Sequence, residues 1–323
     1  MKKTLIRIFK PGLLVFFLMA GMSQANAQTD MDAIMMNKKQ FCNGFVYDYS
    51  SWDHYWEGKL KRNNQNLGTV STQMVMLMSN YGITDNLNIM AGLPYIWTKA
   101  SAGTLHGLKG IQDLSLFVKW RPLNYLFGKN KISLFIVGGV ATPLSDYVID
   151  YLPLTIGMGS TNVITKGMID YRWKRFTVTA SGAFIWRSNV FVDRTAYYDT
   201  EQHLTNQVKM PNAFQYQVRT GYRGKYLIAE ALLTRWITDG GFDITRNNMP
   251  FPSNKMNASI IGAHVKYVLK KLPALSVEAG GSYVMHGRNV GQATEFNGSV
   301  FYIIQFGHSK VSASRSCKLC GLR

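Results

Sequence analysis

The chain has 323 residues, 46% hydrophobic and 13% aromatic, and 36 basic against 18 acidic side chains give it a formal charge of +18. Such a charge suits anionic lipid, small anions or nucleic acid. No compact Lys/Arg patch with interleaved stacking aromatics occurs, which argues against nucleic acid and leaves lipopolysaccharide phosphates or small anionic solutes as partners.

In chain order, Lys2, Lys3, Arg7 and Lys10 precede the apolar stretch Leu13–Ala20, and Ala25-Asn26-Ala27 places small residues before Gln28. This predicts a cleavable secretory signal over residues 1–27, because the apolar run is too short to span a bilayer comfortably. No Cys follows the cut, so a lipid-modified amino terminus is not expected. Cleavage removes four basic side chains and leaves roughly 300 residues at a charge of about +14, ample for one large β domain.

Beyond the signal no apolar run is long enough for a membrane-spanning helix. Ile132–Ala141, at ten residues, is the longest and suits a strand. Side chains instead alternate with a period of two, which on a strand sorts them to opposite faces. Leu87, Ile89, Ala91, Leu93, Tyr95 and Trp97 form one face. Leu114, Leu116, Val118 and Trp120 alternate with Asp113, Ser115, Lys119 and Arg121. The same pattern recurs at 176–187, 214–223 and 275–286.

Two features separate a membrane barrel from a soluble sandwich. Aromatics crowd the strand ends (Tyr95, Trp97, Trp120, Tyr171, Trp173, Trp186, Tyr222, Trp236 and Tyr267), where interfacial girdles lie. Connections also alternate between short (82–86, 122–131, 174–175, 223–225, 270–274) and long (57–66, 99–111, 143–159, 188–212, 238–256, 287–295). Bacterial barrels put short turns in the periplasm and long loops outside. The predicted fold is all-β: a transmembrane antiparallel up-and-down barrel of about twelve strands, with ten or fourteen also compatible. The strands fall near 40–56, 67–81, 86–97, 112–122, 131–142, 160–173, 175–187, 213–223, 225–237, 257–269, 275–286 and 297–307. The barrel then occupies 28–307 in the outer membrane of a Gram-negative cell, followed by a tail at 308–323. Against the usual pattern, the short turns are rich in Lys and Arg (Lys174, Arg175, Lys225, Lys270, Lys271).

The most specific text is Tyr81-Gly82-Ile83-Thr84-Asp85-Asn86-Leu87, then Gly92-Leu93-Pro94-Tyr95, then Gln112-Asp113-Leu114-Ser115 and Lys119-Trp120. It resembles the meta-pathway phenol-degradation family of outer-membrane transporters. The resemblance implies passive uptake of small aromatic or hydrophobic compounds. The last strand, Gly298–Phe306, resembles a C-terminal signal for the barrel-assembly machinery.

Candidate lumen-lining residues are the polar phase of the strands: Asp113, Lys119, Arg121, Arg187, Gln215, Gln217, Arg219, Arg223, Lys266 and Glu278. Rows of Arg and Lys would raise anion occupancy. Alternatively, opposite charges pair across the interior and conduct nothing. A lipid hydrolase built on Ser282 and His286 is disfavoured, because the two lie about 13 Å apart along a strand. A structural or partner-binding barrel would instead act through the aromatic loops 188–212 and 238–256. No metal or cofactor is expected: the six His are scattered, and Cys317 and Cys320 supply only two ligands.

Overall fold

A computed structural model describes residues 29–245 and 248–306. The proposed signal and the tail with Cys317 and Cys320 lie outside the described residues. Twelve long strands carry the fold. They are β1 (Gln40–Trp52), β2 (Val70–Thr84), β3 (Leu87–Ala100), β4 (Asp113–Phe127), β5 (Asn130–Pro143) and β6 (Asn162–Trp173). The second half comprises β7 (Phe176–Arg187), β8 (Asn212–Arg223), β9 (Leu227–Asp239), β10 (Asn257–Val268), β11 (Leu275–Arg288) and β12 (Thr294–Gln305). Each pairs antiparallel with its neighbours in sequence, and β1 pairs with both β2 and β12, so the sheet closes. Closure satisfies the backbone N–H and C=O groups that an open edge would leave bare in lipid.

Alternation decides the faces. Along β4, Val118 is 47% exposed on the outer wall while its neighbour Lys119 is fully buried inside. Ile89, Leu116, Ile136, Ile169, Val218 and Leu233 share the outer face. That exposed apolar belt is what a hydrocarbon environment requires. An arginine on it must leave lipid, whereas one on the inner face meets polar groups. Val118→Arg is therefore expected to destabilise the barrel by about 2–4 kcal/mol and Ser115→Arg by much less, read as urea unfolding in lipid vesicles. Equal losses would contradict the assignment of faces.

Outward aromatics sit near the strand ends, with Tyr171, Trp173, Tyr222 and Tyr267 toward the short turns and Tyr95 and Trp186 toward the long loops. Several basic turn residues lie on such rings: Lys174 over Trp173 at 5.1 Å, and Lys225 and Lys270 over Tyr226 at 5.1 and 5.8 Å. The Lys-rich turns thus place cations at the headgroup level beside aromatic anchors. Trp236 departs from the expected girdle. It faces inward with Ile260 and packs beside buried Trp56, Ala258 and Val284.

The segment 122–131 is also not a simple connection. β4 continues through Pro122 to Phe127, because a register shift between Trp120 and Leu123 absorbs the proline and the ladder resumes at Leu123↔Leu134. Pro94 lies inside β3, where the partner changes. Pairing with β4 ends at Gly92↔Ser115, and pairing with the short strand Lys109–Ile111 begins at Tyr95↔Ile111. The missing N–H falls in that gap.

Candidate functional site

Residues 29–37 do not join the wall. They run inside the barrel, starting from a latch at the short-turn end. Lys39 N donates to Gly82 O at 2.7 Å, and Lys38 N donates to Asp85 Oδ1 at 2.9 Å. A Cβ on Gly82 would lie 2.1 Å from Asn37 O, so only glycine lets the segment pass here. The turn text Gly82…Asp85-Asn86 therefore holds the inbound chain as well as forming a hairpin.

Inside, two carboxylates meet two lysines. Lys119 Nζ donates to Asp32 Oδ1 at 3.1 Å and to Thr29 O at 2.8 Å. Lys166 Nζ donates to Asp30 Oδ2 at 2.9 Å. Arg219 Nη1 donates to Met31 O at 3.1 Å. Asp32 also tightens its own turn, accepting from Thr29 N at 2.7 Å and Ile34 N at 3.1 Å. Apolar contacts complete the seat: Ala33 and Met35 pack with Phe135, Val137 and Met168, and Met36 packs with Cys42, Phe301 and Ile303.

The ten residues expected along the lumen are distributed as follows. Lys119 and Arg219 hold the segment. Arg219 Nε also donates to Glu230 Oε2 at 3.0 Å, and Arg223 lies between Glu230 (Nε–Oε1 2.9 Å) and Asp170 (Nη1–Oδ1 3.1 Å). Lys266 Nζ lies 3.4 Å from Glu278 Oε1, whose other oxygen contacts His264 Nε2 at 3.2 Å. Gln217 donates to Thr234 Oγ1, and Gln215 faces the cavity described below. Arg187, near the long-loop end, stacks on Trp236 at 5.3 Å. Arg121 donates to Asn86 Oδ1 and Asp85 O at the opposite end. Asp113 accepts from Tyr147 Oη at 2.8 Å. Sequence reasoning missed Asp30, Asp32, Lys166, Asp170 and Glu230. The last three were legible in principle, since Lys166, Asp170 and Glu230 stand in the polar phase of their strands.

The segment leans on the wall formed by β4, β5 and β6. Across from it a cavity of about 400 Å³ remains, bounded by β1, β2 and β8 to β12. Its lining is two-natured. Met76, Met78, Val46, Leu232 and Ile260 offer an apolar strip, while Gln215, Arg219 and Lys266 with the carboxylates Glu230, Glu278 and Glu295 offer polar contacts. Methionine thioethers are flexible and polarisable, so such a strip accepts apolar and aromatic bodies of varied shape.

The long loops fold over the other end and bind one another. Ile149, Val190, Tyr197 and Val208 form a buried cluster with Phe251 against it. Asn289, at a positive φ of 54°, is a junction of three loops. Its Oδ1 accepts from Gly58 N and Ile244 N, and its Nδ2 donates to Asp243 Oδ1 and Lys255 O. Arg288 grips Asp243 bidentately at 2.7 and 2.6 Å. The Arg288 hydrogen bond, aided by Asn289, lowers the Asp243 pKa to about 2. A carboxylate whose folded pKa lies below its unfolded value stabilises this junction above pH ~4 and ceases to as the pH falls through about 2. Pepsin is therefore expected to cut the 240–256 loop slowly at pH 4 and rapidly at pH 2, with Asn289→Ala cut rapidly at both.

No family model and no curated protein matches the chain. Solved structures do. An outer membrane channel from Pseudomonas putida F1 superposes with a TM-score of 0.67 at 14% identity, covering 86% of this chain and all of that one. The NanC porin (TM-score 0.40, 8% identity, 80% of this chain and 98% of that one) and the CymD monoaromatic hydrocarbon channel (0.38, 10%, 84% and 90%) are more distant. At these identities the likeness to the first establishes the fold, a closed twelve-stranded antiparallel barrel.

Proposed function

We propose that this chain is a passive outer-membrane channel for small aromatic or other hydrophobic solutes, closed at rest by its own N-terminal segment. The reading belongs with the phenol-degradation transporters that residues 81–121 resemble. The observation that carries it is the non-covalent seating of residues 29–37 in a barrel that keeps a cavity with an apolar strip and a polar face beside them. A segment held by two ion pairs and apolar contacts, with no covalent link to the wall, can leave, and its departure opens that cavity toward the short-turn end. Cleavage after Ala27 fits this arrangement, because the mature chain would begin just before the segment. With short turns in the periplasm, the latch lies on the periplasmic side and the interlocked loops outside, facing lipopolysaccharide. The last strand, β12, would be the segment recognised by the barrel-assembly machinery.

A hydrolase reading is not supported. Ser282 Oγ donates to Glu295 Oε2 at 3.0 Å, and Arg288 and Asn289 are engaged by Asp243. The test is uptake by liposomes holding the chain without residues 29–37. Entry of benzenesulfonate faster than entry of an uncharged pentose is expected. Equal rates would refute the proposed solute class, and no entry of either would refute the channel.

A further inference from the structure

The periplasmic mouth holds a second cavity, of about 470 Å³, separated from the lumen by Ala33 and Met35 of the seated segment. Six cationic residues border it against one carboxylate, Asp170, and of the six Lys225 turns its ammonium over Tyr226. That carboxylate is already committed to Arg223, which lies 3.1 Å from it and is bound to Glu230 as well. Three of the remaining cations are fixed by neutral acceptors. Arg172 Nε donates to Lys174 O at 2.9 Å and its Nη2 to Arg223 O at 3.1 Å. Arg121 is held by Asn86 Oδ1 and Asp85 O, and Arg175 by Tyr222 Oη. Lys131 has no hydrogen-bond acceptor and no carboxylate partner among the described residues.

The pairing of β5 with β6 sets Lys131 directly opposite Arg172, with both side chains turned into this cavity. Like charges directly opposite one another weaken a ladder. Deeper in the barrel Lys119, Lys166 and Arg219 each have a carboxylate, so the imbalance does not extend to the middle of the lumen. Guanidinium groups held in place by backbone carbonyls, beside an unpaired ammonium, make a preformed receptor for a compact oxyanion carrying two or more charges. The outward lysines of the turns do not belong to it: Lys174 and Lys270 lie over Trp173 and Tyr226.

We propose that this periplasmic vestibule is a binding site for a multivalent oxyanion of the phosphate class, with Lys131, Arg172 and Arg121 as its contacts. It goes beyond the channel reading and needs no solute to cross the lumen. The test uses the full mature chain folded in zwitterionic detergent and titrated calorimetrically with inorganic pyrophosphate. One saturable site that weakens with added salt is expected. Binding should fall at least tenfold in Lys131→Gln/Arg172→Gln and be unchanged in Lys174→Gln/Lys270→Gln. Heat-modifiable gel mobility reports folding. Lys131→Gln alone, at a side chain that holds nothing, supplies the test if the double variant does not fold. This single variant should unfold at a higher temperature than the parent without anion, and pyrophosphate should raise the melting temperature of the parent only. Competition by a short-chain phosphatidic acid would identify a lipid phosphate as the natural occupant, and its failure to compete would identify a soluble one. No saturable binding, or equal binding by Lys131→Gln/Arg172→Gln, would overturn the proposal.

Discussion

Replacing Asp30 and Asp32 together by asparagine is expected to raise the labelling rate of a cysteine at position 33 about a hundredfold or more. Ala33, within the seated segment, is 7% exposed and packed against Phe135, so a bulky maleimide reaches it only when the segment leaves. In the closed state Lys119 and Lys166 depend on those two carboxylates, and Lys119 is completely buried. Removing one partner of a buried pair costs about 3–5 kcal/mol, because the other charge stays desolvated. When the segment swings out, both lysines regain water, so the penalty falls on the closed state alone. A shift of 3–5 kcal/mol changes the ratio of open to closed chains by roughly a hundred- to a few thousand-fold. The measurement needs Cys42, Cys317 and Cys320 replaced beforehand. An unchanged rate would mean that the apolar seat around Phe135 and Phe301 holds the segment without its charges.

The second large effect concerns the wall itself. Arg223→Ala is expected to destabilise the barrel by about 3–5 kcal/mol, since the arginine joins strands β6, β8 and β9 through Asp170 and Glu230. Thr179 on β7 belongs to the same network, donating to Asp170 Oδ1 at 2.6 Å. Truncation leaves Asp170 buried without a cation, while Glu230 keeps Arg219. Arg187→Ala serves as contrast. Arg187 has no carboxylate partner among the described residues and rests on Trp236, so its loss should cost about 1 kcal/mol. Urea unfolding in lipid vesicles separates the two. Similar losses would show that the buried network contributes no more than the stack on Trp236.

The wall was legible because a strand in lipid has one strict rule. Its outward phase must be apolar, and Leu116-x-Val118-x-Trp120 or Phe214-x-Tyr216-x-Val218 states that rule in the sequence. Turn chemistry supplied the ends, down to Lys174-Arg175 as a two-residue connection. Alternation also placed Lys119, Arg219 and Arg223 on the inner phase. It could not name their partners, which come from 87 residues away for Lys119 and from neighbouring strands for Arg223. Residues 29–37 have no periodicity at all, so nothing local marked them as lumen contents. The available hint was electrostatic: two aspartates two residues apart, near the start of a strongly basic mature chain. Trp236 misled because an aromatic at a strand end belongs to the girdle only if its phase is outward, and here it is inward beneath Trp56. Pro122 misled because a bulge lets a strand pass a proline.

Closure by the N-terminal segment is tested most directly by single-channel recording in planar bilayers. The mature chain should be compared with the same chain lacking residues 29–37. Rare, small openings are expected from the first. A steady conductance at least tenfold larger is expected from the second, with a reversal potential favouring anions because Lys119, Lys166 and Arg219 have lost carboxylate or carbonyl partners in the segment. Equal conductance from the two would contradict closure by this segment. Stable insertion of both without conductance would contradict an open path beneath it.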